Sequence, residues 1–299
     1  MRNVMVRLKG GLGNQMFQYA AGKSLAVRLG VPLKLDTSFL EIKNVDQGYT
    51  LRNFELDVFN IDATVATKTE VSHCRKPLNY NIISKYFSFF SKTDIFPESQ
   101  ATYQPEFEKL HAPVYLEGYW QTEKYFLSIA SRLKEKDFTP LAEISSRNAL
   151  LLNEINSCNC VSIHVRRGDY VNNPSTNKFH GICSELYYEQ AAKIINKKTK
   201  IDHFYIFSDE PEWAKENIKL SLPATFVSHN IGRESHWDLF LMRNCKHNII
   251  ANSSFSWWGA WLNKNPNKII LTPEKWFNDE TANNNEIVPE GWIKYPKNQ

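Results

Sequence analysis

The amino-acid sequence predicts an α/β protein of two lobes, and three observations carry that prediction. Residues 1–36 read as one β-α-β unit, and residues 160–272 alternate between short apolar strands and helical stretches. The third is length: 299 residues suit two domains of roughly 150 residues each better than one core. Alternation of this kind lays the strands side by side in parallel, with helices covering both faces of the sheet.

The first strand is the apolar run Val4 to Leu8, followed by the glycine turn Lys9-Gly10-Gly11-Leu12-Gly13-Asn14. Gln15 to Gly30 carries apolar residues at helical spacing, and Val31 to Asp36 reads as the second strand. From about Gln47 to Leu110 the chain is rich in Asn, Ser, Lys and aromatic residues without a clean period, and loops and short helices within the first lobe are expected there. After Val114 to Phe126, helical stretches are expected over about 126–132 and 140–156, so the lobes divide as 1–155 and 156–299. In the second lobe, strands are expected at 160–166, 204–209, 224–228, 247–251 and 268–272. Helices are expected near 185–196, 211–218, 235–244 and 254–263.

Apolar residues make up 42% and charged residues 23%, with 18 Phe, 13 Tyr and 8 Trp, which is material for packed cores and unlike a disordered chain. The formal charge of +4 forms no basic arm or stripe, which argues against nucleic-acid binding and suits an anionic substrate or a peripheral contact with an anionic membrane face. The opening MRNVMVRLKG holds too short an apolar run for a signal peptide, and no segment reaches the ~18 apolar residues of a membrane helix, so a cytoplasmic location is expected. Five cysteines, an odd number, argue against a disulfide framework, and Cys158-x-Cys160 has no matching pair at zinc-finger spacing. No metal site is expected.

Ligands of open parallel sheets bind beyond the carboxyl ends of the strands, and three segments there carry chemistry. In CVSIHVRRGDY, residues 160–170, an apolar strand ends by presenting His164, Arg166, Arg167 and Asp169. Guanidinium groups are always charged and match phosphate oxygens with a planar fork of donors. Two of them side by side repel unless an anion or a carboxylate stands between, so the segment reads either as a diphosphate site or as a structural Arg–Asp ion pair. In Phe207-Ser208-Asp209-Glu210 the Asp209 carboxylate suits the N1–H and exocyclic amine of a guanine edge, while Pro211 makes Ser208 or Asp209 an equally good helix cap. In Ala251 to Gly259 a strand end runs into a helix start, where free N–H groups and the hydroxyls of Ser253 and Ser254 suit phosphate or serve as ordinary caps. Trp257, Trp258 and Trp261 are expected to pack.

In the first lobe, Gly11-x-Gly13 is followed by Met16 where a dinucleotide fingerprint has its third small residue, although Asp36 lies at a suitable distance downstream. The G-K-[ST] ending of a P-loop is missing. These glycines instead let the backbone approach a sugar diphosphate, with the Asn14 amide donating to it.

Taken together and in order, GGLGNQMFQYA, GYWQTEKYF, SIHVRRGDYV, FSDE and ANSSFSWWGAWL resemble the signature segments of the α-1,2-fucosyltransferases of glycosyltransferase family 11. H-x-R-R-x-D alone is shared with α-1,6- and protein O-fucosyltransferases and does not fix the linkage. The resemblance implies a GT-B enzyme, with two Rossmann-like lobes and the nucleotide-sugar site in the cleft. It implies inverting, metal-independent transfer from GDP-β-L-fucose to the 2-hydroxyl of a galactoside, with no cofactor beyond the donor substrate; with no stem or membrane anchor in the sequence, the expected acceptor is a galactose-terminated oligosaccharide carried on a lipid. By the same resemblance Arg166 binds the diphosphate, Arg167 supports it, and His164 and Asp209 lie near the guanine, with Ser253 and Ser254 at the phosphates. Gly11, Gly13 and Asn14 approach the donor from the other lobe. Asp169, His180 and Glu185 are the candidates to take the acceptor proton. Alternatives are a fucosyltransferase of another linkage, a nicotinamide-linked oxidoreductase using the glycine turn and Asp36, and a non-catalytic glycan-binding protein.

Overall fold

Short apolar runs become strands and the stretches between them become covering helices, in two separate sheets. The computed structural model describes residues 2–42, 52–75, 93–99, 102–278 and 286–298. The chain divides into one unit of Met1–Asp57 with Ile61–Asp137 and a second of Val58–Asn60 with Phe138–Gln299.

The first unit holds β1 (Val4–Arg7), α1 (Leu12–Leu29), β2 (Leu33–Asp36), β3 (Thr64–Val65), α2 (Lys68–Arg75), β4 (Asp94–Pro97) and β5 (Val114–Glu117). The strands run in the order β3-β2-β1-β5-β4, every pair parallel. Helix α1 packs Met16, Phe17, Ala20, Ala21 and Leu25 into the core beside Val4 and Val6 of β1, and this burial of apolar surface supplies most of its stability. From β1 the chain adds β2 and β3 on one side, and β5 later settles on the other, so the β1/β5 gap is the switch point where such sheets take ligands.

Strands β3 and β4 lie in the stretch expected to be loops and short helices; one is two residues long and the other is a mostly exposed edge strand, so neither carries an apolar run. Part of that stretch, residues 76–92, lies outside the described residues. The helix expected at 126–132 is instead a broken run of 3-10 turns, Glu123–Tyr125 and Leu127–Ile129, then α3 (Ala130–Arg132) and a π-helical turn, Leu133–Asp137. Buried Asp137 anchors its end by accepting from the Tyr19 hydroxyl at 2.8 Å and from Arg132 Nε at 3.0 Å.

The second unit holds α4 (Ser146–Ser157), β6 (Cys160–Val165), α5 (Gly168–Asn172), α6 (Pro174–His180), α7 (Glu185–Lys198), β7 (His203–Ser208), α8 (Pro211–Asn217) and β8 (Ala224–Val227). It continues with α9 (His236–Asn244), β9 (His247–Ile249), α10 (Ser254–Trp261), β10 (Ile270–Pro273) and β11 (Ile293–Tyr295). The sheet order is β11-β10-β9-β6-β7-β8, again all parallel. All six residues of β6 are buried, and Val161, Ile163 and Val165 meet Tyr187, Tyr188, Ala191 and Ile195 of α7 in the core. The chain proceeds from β6 to β7 and β8 on one side and returns to place β9 on the other, which makes β6/β9 this unit's switch point.

The alternating elements stand close to their expected places, with four departures. The join between units falls at Asp137/Phe138 and not at 155/156. Residues 140–141 are not helical because Pro140 bridges Phe59 and Leu141 N–H donates to Val58 O, and α4 begins only at Ser146, capped by Ser145 Oγ accepting from Asn148 N–H at 3.3 Å. Helices α5 and α6 occupy the loop after β6. Strand β11 extends the sheet as a short, partly exposed edge. Trp257, Trp258 and Trp261 are buried against one another, and the five cysteines are free thiols.

Candidate active site

The parallel register pairs His164 with Phe207 and Val165 with Ser208, so the next residues outward, Arg166 and Asp209, leave the ladder side by side. Arg166 Nη1 lies 2.9 Å from Asp209 Oδ2, and Arg167 N–H donates to Asp209 Oδ1 at 3.0 Å. Arg167 Nε in turn donates to Glu210 Oε2 at 3.0 Å, while its guanidinium stacks 3.5 Å from the Trp213 ring centroid. Both arginines therefore meet carboxylates, and these come from Asp209 and Glu210 outside the motif. The capacity for a further anion persists, because a guanidinium has five N–H donors and, among the described residues, the side-chain hydrogen bond of Arg167 engages only Nε. Burial pushes the Asp209 carboxyl above the usual range, and the Arg166 charge opposes that rise. Gly168 sits against this pair: a Cβ there would lie 2.4 Å from Asp209 Oδ2.

His164 is buried beneath the arginines, its ring 5.4 Å from that of Phe255 in the first turn of α10. Burial, helped by the Arg166 charge, pushes its pKa down to about 3, so the imidazole is neutral. Its Nδ1 has no hydrogen-bond partner among the described residues. Across the switch point, Ser253 is the N-cap of α10 without a side-chain capping bond, and Ser254 opens the helix; both stand beside the end of β6. The start of α10 and the Arg166-Arg167 pair thus follow the carboxyl ends of neighbouring strands, β9 and β6, and free helix N–H groups suit an anion.

His180 closes α6, stacked on Tyr170 at 4.6 Å and packed near Phe277. The guanidinium of Arg166 is 5.4 Å from the centroid of the same Tyr170 ring, so Tyr170 touches both. Glu185 stands in the first turn of α7, where Ser184 is the cap. Asp169 belongs to α5, but its side chain lies outside the described residues. Sequence reasoning did not single out Tyr170, Trp213 or Asn252. The last is fully buried, and its Nδ2 donates to His180 O, Gly181 O and Trp276 O at 2.8, 3.1 and 3.0 Å, fixing the end of α6 to the end of β9. Lys297 adds a second bond to His180 O at 2.6 Å, its pKa pushed down to about 8 by burial.

In the first unit, Gly11 is the N-cap of α1 and Gly13 and Asn14 lie in its first turn. Gln15 ties the turn down by donating to Gly10 O and Asn53 O at 2.9 and 2.8 Å. Asp36, the acid a dinucleotide site would use, is fully buried and accepts from Ser38 N–H at 2.9 Å and the Tyr115 hydroxyl at 2.5 Å. That engagement removes it from ligand binding. Among the described residues no group of three or more His, Cys, Asp or Glu is placed to hold a metal, and no described helix is long and apolar enough to cross a membrane.

Two Rossmann-like units, each with polar loops at its switch point, are the GT-B architecture of glycosyltransferases. Residues 2–295 match Glycosyl transferase family 11, and the chain belongs to that family. It is 39% identical over 306 residues to an alpha-1,2-colitosyltransferase of Escherichia coli, covering 99% of this chain and all of that protein. It is 36% identical over 307 residues to the O-antigen biosynthesis glycosyltransferase WbnK of Escherichia coli, covering 96% and 98%. A 104-residue stretch is 31% identical to galactoside alpha-(1,2)-fucosyltransferase 2 of Sus scrofa, covering 34% and 30%. Among solved structures, fucosyltransferase NodZ from Bradyrhizobium aligns over 86% of this chain and 91% of its own at 15% identity, with a TM-score of 0.47.

Proposed function

We propose that this glycosyltransferase transfers L-fucose from GDP-β-L-fucose to the 2-hydroxyl of a β-galactoside, inverting the anomeric centre without a metal ion. The observation that carries the reading is the pair of adjacent arginines at the β6/β9 switch point, beside the start of α10. As the bond from the fucose anomeric carbon to the β-phosphate oxygen breaks, negative charge grows on the departing GDP. Fixed donors aimed at that charge lower the barrier most. Arg166 and Arg167 supply these donors, with the α10 amides and Ser253 and Ser254 around the phosphates, and His164 and Asp209 beside the nucleoside. Gly11, Gly13 and Asn14 provide backbone and amide contacts to the donor. The acceptor oxygen forms the new bond to the anomeric carbon and its proton passes to Asp169, His180 or Glu185.

The acceptor is a galactose-terminated oligosaccharide, lipid-linked as in O-antigen assembly, which the O-antigen role in a relative's name supports. A second donor, GDP-colitose, is favoured by the full-length relative named for colitosyl transfer. Colitose differs from fucose by the absent 3-hydroxyl, so a pocket that hydrogen-bonds that hydroxyl rejects it strongly, whereas an apolar pocket discriminates weakly. The nicotinamide reading loses its support with Asp36 engaged by Tyr115 and Ser38. The test is transfer to β-galactosides in excess chelator from GDP-fucose and GDP-colitose, comparing kcat/KM and determining the linkage of the product. A larger kcat/KM with GDP-fucose and an α-1,2 product are expected; a strict magnesium or manganese requirement would overturn the metal-free reading.

A further inference from the structure

We infer that Gln121 is a positioning residue, which fixes the amide of Asn14 so that its N–H faces the bound sugar nucleotide; this rests on the donor reading above. Asn14 follows β1 and Gln121 follows β5, so the two residues meet where the sheet order of the first unit reverses. Gln121 Nε2 donates to Asn14 Oδ1 at 2.7 Å. The carbonyl end of the Asn14 amide is thereby occupied, and the remaining end, Nδ2, is a donor with no hydrogen bond among the described residues. Nδ2 lies directly over Gly10: a Cβ at that residue, whose φ is +78°, would come within 2.5 Å of it. The glycine thus makes room for the very orientation that Gln121 selects.

The turn that delivers Gln121 is over-determined. Trp120 adopts φ 59°, a left-handed conformation that costs a bulky residue energy and persists only when its surroundings hold it. Glu98 does so by accepting Tyr119 N–H at 2.6 Å and Trp120 N–H at 2.9 Å, and the Trp120 ring is buried in a stack on Phe96 at 5.9 Å. Lys9 Nζ rests 4.0 Å from the centroid of the Tyr119 ring, which brings a cation to the same crevice. A fixed amide donor and a nearby ammonium suit an electron-rich oxygen, phosphate or sugar hydroxyl, better than a second donor.

Gln121→Glu reverses the pairing, because a carboxylate only accepts, so Asn14 turns its N–H inward and its carbonyl oxygen toward the ligand. Gln121→Met removes the bond at similar volume. Both variants are compared with the parent in kcat/KM for the GDP-sugar, in GDP titration and in melting temperature, in the native background and with Asn14→Ala. The expected result is a loss of roughly ten- to a hundredfold in kcat/KM for Gln121→Glu, a smaller loss for Gln121→Met, and melting temperatures close to the parent. With Asn14→Ala in place, Gln121→Glu changes kcat/KM by less than about twofold, since the effect travels through that amide. Undiminished activity of Gln121→Glu overturns the inference, as does an equal loss in the Asn14→Ala background, which would be the repulsion of the new charge. If Gln121→Glu is unfolded, Gln121→Met decides, and parental activity there also overturns it. A parent chain that neither binds GDP nor uses either GDP-sugar overturns the donor reading itself, whereas an active parent with indifferent Gln121 variants overturns only the present inference.

Discussion

Replacing Arg166 by Ala separates what this residue does for the fold from what it does for the ligand. Its partner Asp209 is largely enclosed, and the side chains of Arg166 and Asp209 are 21% and 24% exposed. Removing one member of a fully buried pair costs roughly 3–5 kcal/mol, and the residual exposure screens part of that. Asp209 also keeps its bond from Arg167 N–H. A stability loss of about 1–3 kcal/mol follows, or roughly 3–10 °C in Tm for a unit of this size. On the proposed diphosphate role of Arg166, loss of its charge-assisted phosphate contact weakens GDP by about 1.5–3 kcal/mol, roughly 10- to 150-fold in Kd. The two effects part in the double variant Arg166→Ala/Asp209→Asn, where no unpaired carboxylate remains: Tm recovers and GDP affinity does not. Thermal unfolding and isothermal titration on the parent, both single variants and the double variant supply the cycle. Recovery of GDP affinity together with Tm would refute the diphosphate role and leave Arg166 as a structural counter-ion to Asp209.

Asn252→Ala removes the donor shared by the carbonyls of His180, Gly181 and Trp276, of which His180 O keeps its bond from Lys297, so a loss of about 2–4 kcal/mol is expected in denaturant unfolding. A variant within 0.5 kcal/mol, the range of ordinary surface substitutions, would show that the fork is dispensable. His164 has a folded pKa of about 3, below its unfolded value of roughly 6.5, so its contribution to stability is complete above pH ~6.5 and is lost progressively as pH falls toward 3. At pH 5.5 that amounts to about 1.4 kcal/mol, and His164→Gln should show correspondingly less acid destabilisation between pH 7.5 and 5.5; identical pH slopes would mean that His164 takes up a proton in the folded state.

The second unit was legible because each strand of its sheet interior is an apolar run closed by a turn or cap, as with Cys160–Val165 and His203–Ser208. Strand β11 was not, since three partly exposed residues at an edge carry no run to read. Helices α5 and α6 are short and polar, and α6 is set by its Asn173 cap and Pro174 more than by any apolar period. At the site, the sequence pointed to Arg166, Arg167 and Asp209 through their strand-end positions, but left two meanings open. The register between β6 and β7 resolves the local geometry by placing Arg166 against Asp209, a relation between residues 43 positions apart that no local pattern encodes. The partners of Asn14 and His180 were invisible for the same reason. Gln121 and Asn252 are ordinary amides in sequence, and only the return of β5 beside β1 and of β9 beside β6 gives them their roles.

The pairing of Arg166 with Asp209 and of Arg167 with Glu210 makes the strand edge close to electroneutral before any ligand arrives. On the proposed donor reading, binding there is an exchange of counter-ions and not the quenching of bare cations. A monovalent ion such as chloride offers each guanidinium less than its resident carboxylate already does, whereas a polyphosphate presents several charged oxygens to compete for it. The threshold set by the resident acids therefore filters ligands by valence and reach, and it leaves the empty site poorly attractive to the simple salts of its surroundings.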